Sequence, residues 1–244
     1  VAIVGGIVKR RAFSLDKVSF RRQEASLMNF NTKSLISARA HAIALLAGLC
    51  LTAPKAHAYY STLDSGEMLD ENQYQAMVSL QSIFNKYDGM NFTGRLDTGI
   101  REDISIRGVL GFGKVDFHIG ALAKWMPFPD TDQQPAIGAE AGVLLARIGS
   151  VTQYSLRVHP LISKKLELEI GDVIPYASLP TGVTIQTGSG ADETFTPLQL
   201  VIGSELRPLE LKDWSFFAEL GLNLHKSFGY IAASAAYRFS ADNY

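Results

Sequence analysis

Lys114-Val115-Asp116-Phe117-His118-Ile119-Gly120-Ala121-Leu122-Ala123-Lys124-Trp125 is the stretch on which the fold turns. By parity, Val115, Phe117, Ile119, Ala121, Ala123 and Trp125 share one face. Lys114, Asp116, His118, Gly120, Leu122 and Lys124 share the other. A period of two is that of an extended strand with unlike faces; a helix would place its apolar residues three and four apart. Working outward, the same alternation recurs. Upstream, Tyr74, Ala76, Val78, Leu80 and Phe84 form one run, Phe92, Gly94 and Leu96 a second, and Ile104, Ile106, Gly108 and Leu110 a third. Downstream come runs led by Ile137, Tyr154, Leu166, Leu198, Trp214 and Ile231. These runs predict about ten strands, within eight to twelve, and no helix of any length. Pro127 to Pro135 cannot stay in a ladder, because proline donates no hydrogen bond. The Gly/Ser/Thr-rich stretch Ala177 to Glu193 is expected to be an exposed loop.

Charge divides the chain sharply. Residues 1–58 hold nine Lys/Arg and two Asp/Glu (+7), residues 59–244 fourteen and twenty-two (−8), which sum to the overall −1. An acidic main body argues against a nucleic-acid partner, which needs clustered Lys/Arg for phosphate. Residues 28–58 read as a cleaved export signal. Lys33 and Arg39 are its positive start, Ala42 to Leu51 its apolar run and Ala56-His57-Ala58 its small-x-small cleavage site. That run is about ten residues, half of what a membrane-spanning helix needs. Cleavage is expected after Ala58. The only cysteine, Cys50, lies within the signal, and Leu49 before it is not the small residue that lipoprotein processing prefers. Residues 1–27 read as an upstream extension from a start placed too early, with Met28 the initiator; the alternative is a long basic n-region kept in the cytoplasm. Residues 59–73 are expected to be a polar, solvated periplasmic leader. Asp64, Glu67, Asp70 and Glu71 in it could suggest a cation site, but their spacing fits no calcium loop. Residues 74–239 form the strand region and 240–244 a tail.

Alternation alone would also fit a soluble sandwich. Here the polar face mixes Gly, Ala and Ser with charge, and the apolar face places Trp125, Trp214, Tyr237 and Phe239 near run ends, where a membrane-interface girdle would lie. In hydrocarbon every backbone donor and acceptor needs a partner, so only helices and closed sheets cross. The expected fold is all-β: a closed antiparallel transmembrane up-and-down barrel.

The last run, Gly229-Tyr230-Ile231-Ala232-Ala233-Ser234-Ala235-Ala236-Tyr237-Arg238-Phe239, resembles the ending of porin-like outer-membrane β-barrel proteins, with its alternating apolar positions and closing aromatic-x-aromatic. The chain departs from that pattern by running on through Ser240 to Tyr244. The resemblance implies a Gram-negative outer membrane, contact with its lipid, and handling by the barrel-assembly machinery, which reads that strand. It implies an architecture and no activity.

If the apolar face meets lipid, parity sends a charged set inward: Arg95, Asp97, Asp103, Arg107, Lys114, Asp116, His118, Lys124, Glu140, Arg157, His159, Lys165, Glu167, Glu169, Glu205, Glu219, His225 and Arg238. Two readings follow. One is a narrow pore for ions or small solutes, with Arg95, Arg107 and Arg157 set against Glu140, Glu167 and Glu219. The other is a structural envelope barrel filled by ion pairs. A third, a surface binding or adhesion barrel, would use the Ala177–Glu193 loop. A lipid-modifying barrel enzyme would need a Ser-His-acid cluster at one rim and is not expected: His225 has Ser227 nearby, but no third group is placed to orient a base. Neither a metal nor a cofactor is expected, since no His pair or glycine loop has the required spacing.

Overall fold

The computed structural model describes residues 61–84, 88–188 and 192–240. The expected signal, the upstream extension, Tyr59, Tyr60 and residues 241–244 lie outside them. Among the described residues there are thirteen strand segments: β1 (Gln73–Phe84), β2 (Gly89–Arg101), β3 (Ile104–Gly113), β4 (Phe117–Phe128), β5 (Ala136–Ile148), β6 (Val151–Ser163), β7 (Leu166–Leu168), β8 (Gly171–Ser178), β9 (Thr181–Thr187), β10 (Glu193–Phe195), β11 (Leu198–Pro208), β12 (Trp214–His225) and β13 (Gly229–Ser240). They make ten staves, because β6 with β7, β8 with β9, and β10 with β11 are each one stave interrupted by a short break. Each stave is antiparallel to its neighbours. The ring closes where β1 pairs with β13 from Gln73↔Ser240 to Phe84↔Gly229.

The count of ten agrees with the sequence reading, but two staves are not where that reading put them. Leu166–Leu168 is the tip of the sixth stave and not a separate strand. The seventh stave occupies the stretch expected to loop: Thr181–Thr187 pairs with β6 along Thr152–Val158. Only residues 188–192 separate β9 from β10.

The exterior is apolar. Val78, Leu96, Leu110, Ile119, Val143, Leu156, Ile185 and Ile231 all point outward and are exposed. Among the described residues, the outward face of the staves between the barrel ends carries no Asp, Glu, Lys or Arg; Arg147 stands at its border. Aromatic residues ring both ends. At the mouth where β1 begins, Tyr74 stacks on Phe239 at 5.6 Å and Trp214 meets Tyr237 at 5.3 Å, with Trp125 and Phe128 on the same rim. At the opposite mouth Phe92 stacks on Phe112 at 5.8 Å, near Phe117. Phe117 and Trp125 on β4 mark the two rims. The rise between them, at about 3.3 Å per residue and about 40° of tilt, is roughly 20 Å, close to a membrane barrel's apolar belt. A soluble sandwich would bury this face and solvate the other. Here the arrangement is reversed, so the barrel is a transmembrane one.

Candidate functional site

The interior is where the charged side chains converge, and a short segment that is not part of the wall organises them. The stretch Thr62-Leu63-Asp64-Ser65-Gly66, expected to be solvated, is enclosed by the barrel, with Thr62 to Ser65 buried. It rises from the mouth at Leu69 and Asp70, where Glu71 bridges Gly99 at the end of β2, to Thr62 near mid-barrel. Two glycines make room for it. A side chain at Gly66 would strike Ser163 Oγ, and one at Gly99 would strike the Asp70 and Leu69 carbonyls. This corrects the solvated-leader expectation. The physical reason is that the wall offers donors and charges to a chain that has no strand partner of its own, and a buried backbone must be paired.

Glu219 on β12 holds the leader's far end. Its Oε1 accepts from Thr62 N at 2.9 Å and the Tyr230 hydroxyl at 2.5 Å. Its Oε2 accepts from Leu63 N at 2.6 Å, Thr62 Oγ1 at 2.7 Å and the Tyr176 hydroxyl at 2.7 Å. Both tyrosines reach it by lying over glycines of the adjacent stave, Tyr176 over Gly203 and Tyr230 over Gly221, where any side chain would collide with the ring. Arg95 donates to the Thr62 and Leu63 carbonyls at 3.1 and 2.9 Å and pairs with Asp97 at 2.8 Å.

Lower in the lumen Asp64 sits between two cations, Lys124 Nζ and Arg107 Nη2, each at 3.0 Å. Arg107 also pairs with Asp97 at 3.0 Å and Glu140 at 2.7 Å. Lys124 completes its set with the Ser65 and Glu67 carbonyls at 3.1 and 2.6 Å. Nearest the mouth, the Ser65 hydroxyl donates to Glu205, and Arg207 bridges Glu205 and Glu67, both at 2.6 Å. In the low-dielectric interior such pairs hold only if each charge finds several partners, and this ladder provides them.

Of the inward set read from parity, Arg95, Asp97, Arg107, His118, Lys124, Glu140, Arg157, His159, Glu205 and Glu219 are buried in the lumen. Arg238 is half-buried beside Ser215 near the mouth. The others lie elsewhere. Lys114 and Asp116 are exposed in the β3–β4 turn, with Val115 between them turned inward and fully buried, because strand pairing ends at Gly113 and the parity resets. Asp103 is in the β2–β3 turn, beside Arg101 and Trp125 Nε1. Lys165 sits in the break between β6 and β7, half-buried near Glu167 and Asp172. Glu167 and Glu169 are exposed on the β7–β8 hairpin, where no wall encloses them. Glu167 therefore cannot belong to a constriction. His225 ends β12 exposed while Ser227 is buried in the following turn, so they do not share a site. The sequence reading missed Thr62, Ser65, Tyr176 and Arg207 as members of the interior, and it set Tyr230 on the polar face of the last run without giving it a role. The glycines opposite both tyrosines were the signal available for their inward reach.

Above the leader, a cavity of about 30 Å³ lies among Ser61, Met77, Thr93, His118, Leu144 and His159. It has room for about one or two waters. Further toward the opposite mouth, Ile83, Val115, Ala146, Val201, Phe228 and Tyr230 belong to one apolar cluster.

The fold and interior define a class: an outer-membrane-type β-barrel that carries the segment preceding β1 as filling. No family model matches the chain, and no curated protein matches it. Among solved structures it is similar to the translocator domain of the autotransporter NalP from Neisseria meningitidis, at 12% identity over 86% of this chain and 98% of that one, TM-score 0.38. It is also similar to Ail, the attachment invasion locus protein of Yersinia pestis, at 13% identity over 69% and 99%, TM-score 0.30. A de novo designed transmembrane β-barrel matches at 11% identity over 71% and 100%, TM-score 0.35. The membrane barrel stands on its own strand pairing and apolar exterior.

Proposed function

We propose that this chain is a closed structural barrel of a Gram-negative outer membrane, exported by the signal of residues 28–58 and cut after Ala58. The observation that supports it most is the leader, whose backbone and carboxylates occupy the charged groups that a pore would need to leave free. Arg95 and Arg107, two of the arginines expected to line a constriction, are bound to Asp97, Glu140 and the leader itself. The binding or adhesion reading loses its main support, since β9 runs through the stretch it relied on. No catalytic role is proposed, and the partners are the surrounding lipid and, during biogenesis, the barrel-assembly machinery.

The test is a planar-bilayer recording of the refolded chain from Tyr59 onward, beside a heat-modifiability gel. A gel shift with a silent bilayer is the expected result. Discrete conductance steps from the wild-type chain would overturn the closed reading, and the absence of both shift and insertion would overturn the membrane reading.

A further inference from the structure

The polarity of the leader's grip carries a more specific conclusion. Each of four wall cations that touch the leader meets an oxygen: Arg95 two carbonyls, Lys124 a carboxylate and two carbonyls, Arg107 and Arg207 a carboxylate each. Without the leader, Arg95 and Arg107 keep Asp97, Arg107 keeps Glu140, Arg207 keeps Glu205, and Glu219 keeps two tyrosines. Lys124 keeps no hydrogen bond, because each of its own ends on Asp64, Ser65 or Glu67, and Glu140, opposite it on β5, is held by Arg107. With the leader gone its ammonium faces the vacated space beside the Arg107 guanidinium, and each of these cations lies 3.0 Å from an oxygen of the carboxylate that has left. An anion at that point restores the pairing that both cations had.

Resting on the closed-barrel reading, we propose that Lys124 and Arg107 form an anion-binding site in the lumen that Asp64 fills in cis, and that small anions reach it from the mouth where β1 begins when the leader withdraws, while the apolar cluster keeps the opposite half closed. The class of ligand is a compact oxyanion, phosphate or carboxylate, whose oxygens can take the two places of the Asp64 carboxylate. Two further features favour withdrawal. Leu63 is held at φ 42°, a left-handed conformation that a bulky side chain resists, whereas Asn72, at φ 62° between leader and β1, tolerates it and can serve as the joint. At the leader's mouth a cleft of about 800 Å³ opens beside Gly66, Glu67 and Met68, with Lys164 and Lys165 on its rim together with Asp130 and Asp132. Solvent therefore reaches the Glu67–Arg207 pair first.

The test combines Asp64→Asn with Glu67→Gln in the refolded chain, with Ser61→Cys as a reporter of leader position; Cys50, the only native cysteine, precedes the refolded segment. Folding is checked by the gel shift. If the double variant gives no shift, Glu67→Gln alone, at the more exposed pair, takes its place. The expected result is binding of inorganic phosphate in the millimolar range that the wild type lacks, read by calorimetry, with the bilayer still silent because the apolar cluster fills the lumen toward the opposite mouth. The thiol introduced by Ser61→Cys should react with a small charged reagent at least about tenfold faster, the factor that about 1.4 kcal/mol of lost grip gives. Phosphate should also raise the urea midpoint of the double variant, and adding Lys124→Gln should abolish both effects. A folded variant that binds no phosphate would overturn the proposal, whether the reporter thiol stays protected or not, as would phosphate binding that survives Lys124→Gln. Current from the wild-type chain would instead overturn the closed-barrel reading, and phosphate binding would still decide for or against the anion site.

Discussion

Replacing Glu219 by glutamine tests how the leader is held, because the change preserves shape and removes one acceptor. The carboxylate faces donors on both oxygens, with the Thr62 N–H on Oε1 and the Leu63 N–H on Oε2. Whichever way the Gln amide turns, its NH₂ meets one of these backbone N–H groups. The neighbouring hydroxyls of Thr62, Tyr176 and Tyr230 can rotate to accept; a backbone N–H cannot. At least one charge-assisted hydrogen bond is lost and one buried donor is stranded, worth about 1.5–3 and about 1–3 kcal/mol respectively. A cautious combined value of about 3 kcal/mol is roughly a hundredfold in the equilibrium between seated and displaced leader. The assay is the labelling rate of Ser61→Cys in refolded protein, with and without Glu219→Gln, beside the urea midpoint in lipid vesicles. Faster labelling together with a lower midpoint is expected. Unchanged labelling and an unchanged midpoint would refute the idea that this carboxylate anchors the leader.

Gly99→Val should displace the leader by another route, since its side chain would enter the Leu69 and Asp70 carbonyls while β2 keeps its pairing; labelling of Ser61→Cys should rise with the gel shift retained. Val78→Arg, on the lipid face midway along β1, should destabilise the barrel by about 2–4 kcal/mol in vesicle unfolding, because a charge is placed near the bilayer centre; a neutral effect would place that face in water. At the mouth, partial burial pushes the Asp130 carboxyl up, but Lys164 at 2.7 Å, the Lys165 N–H at 2.5 Å and both ammonium charges prevail and hold it below the ordinary carboxylate range. A lowered folded-state value means its contribution is complete above the unfolded carboxyl's pKa of about 4 and fades as pH falls through the lowered value. Asp130→Asn should therefore narrow the stability difference between neutral and acid pH, read as urea midpoints across that range.

Much of the barrel was legible in the chain, because alternation is a local property and each stave shows it. The stave β8–β9 was not, since Pro175, Pro180, Gly182 and its threonines mimic a loop. Its alternation survives in Val183 and Ile185 outward with Thr184 inward and buried, a pattern that small polar interior residues disguise. The reading of Leu166–Ile170 as a separate strand compensated for that omission, which is why the number came out right. The lumen set was half legible: parity brought Arg107 and Glu140 together, yet could not show that Asp64 lies between Arg107 and Lys124. The leader has no period, and its partners sit on β2, β3, β4, β6, β11 and β12, far apart in sequence. Only tertiary structure joins them.

The seam between β1 and β13 joins the first stave to the last, so the ring cannot shut until the whole chain has been delivered. The leader is tied directly to β1 through Asn72. Feeding it into a finished cylinder would require threading past a crowded rim, whereas folding the sheet around it requires no threading at all. A barrel built in that order is stoppered from the moment it exists, and the envelope that receives it never meets it as an open hole.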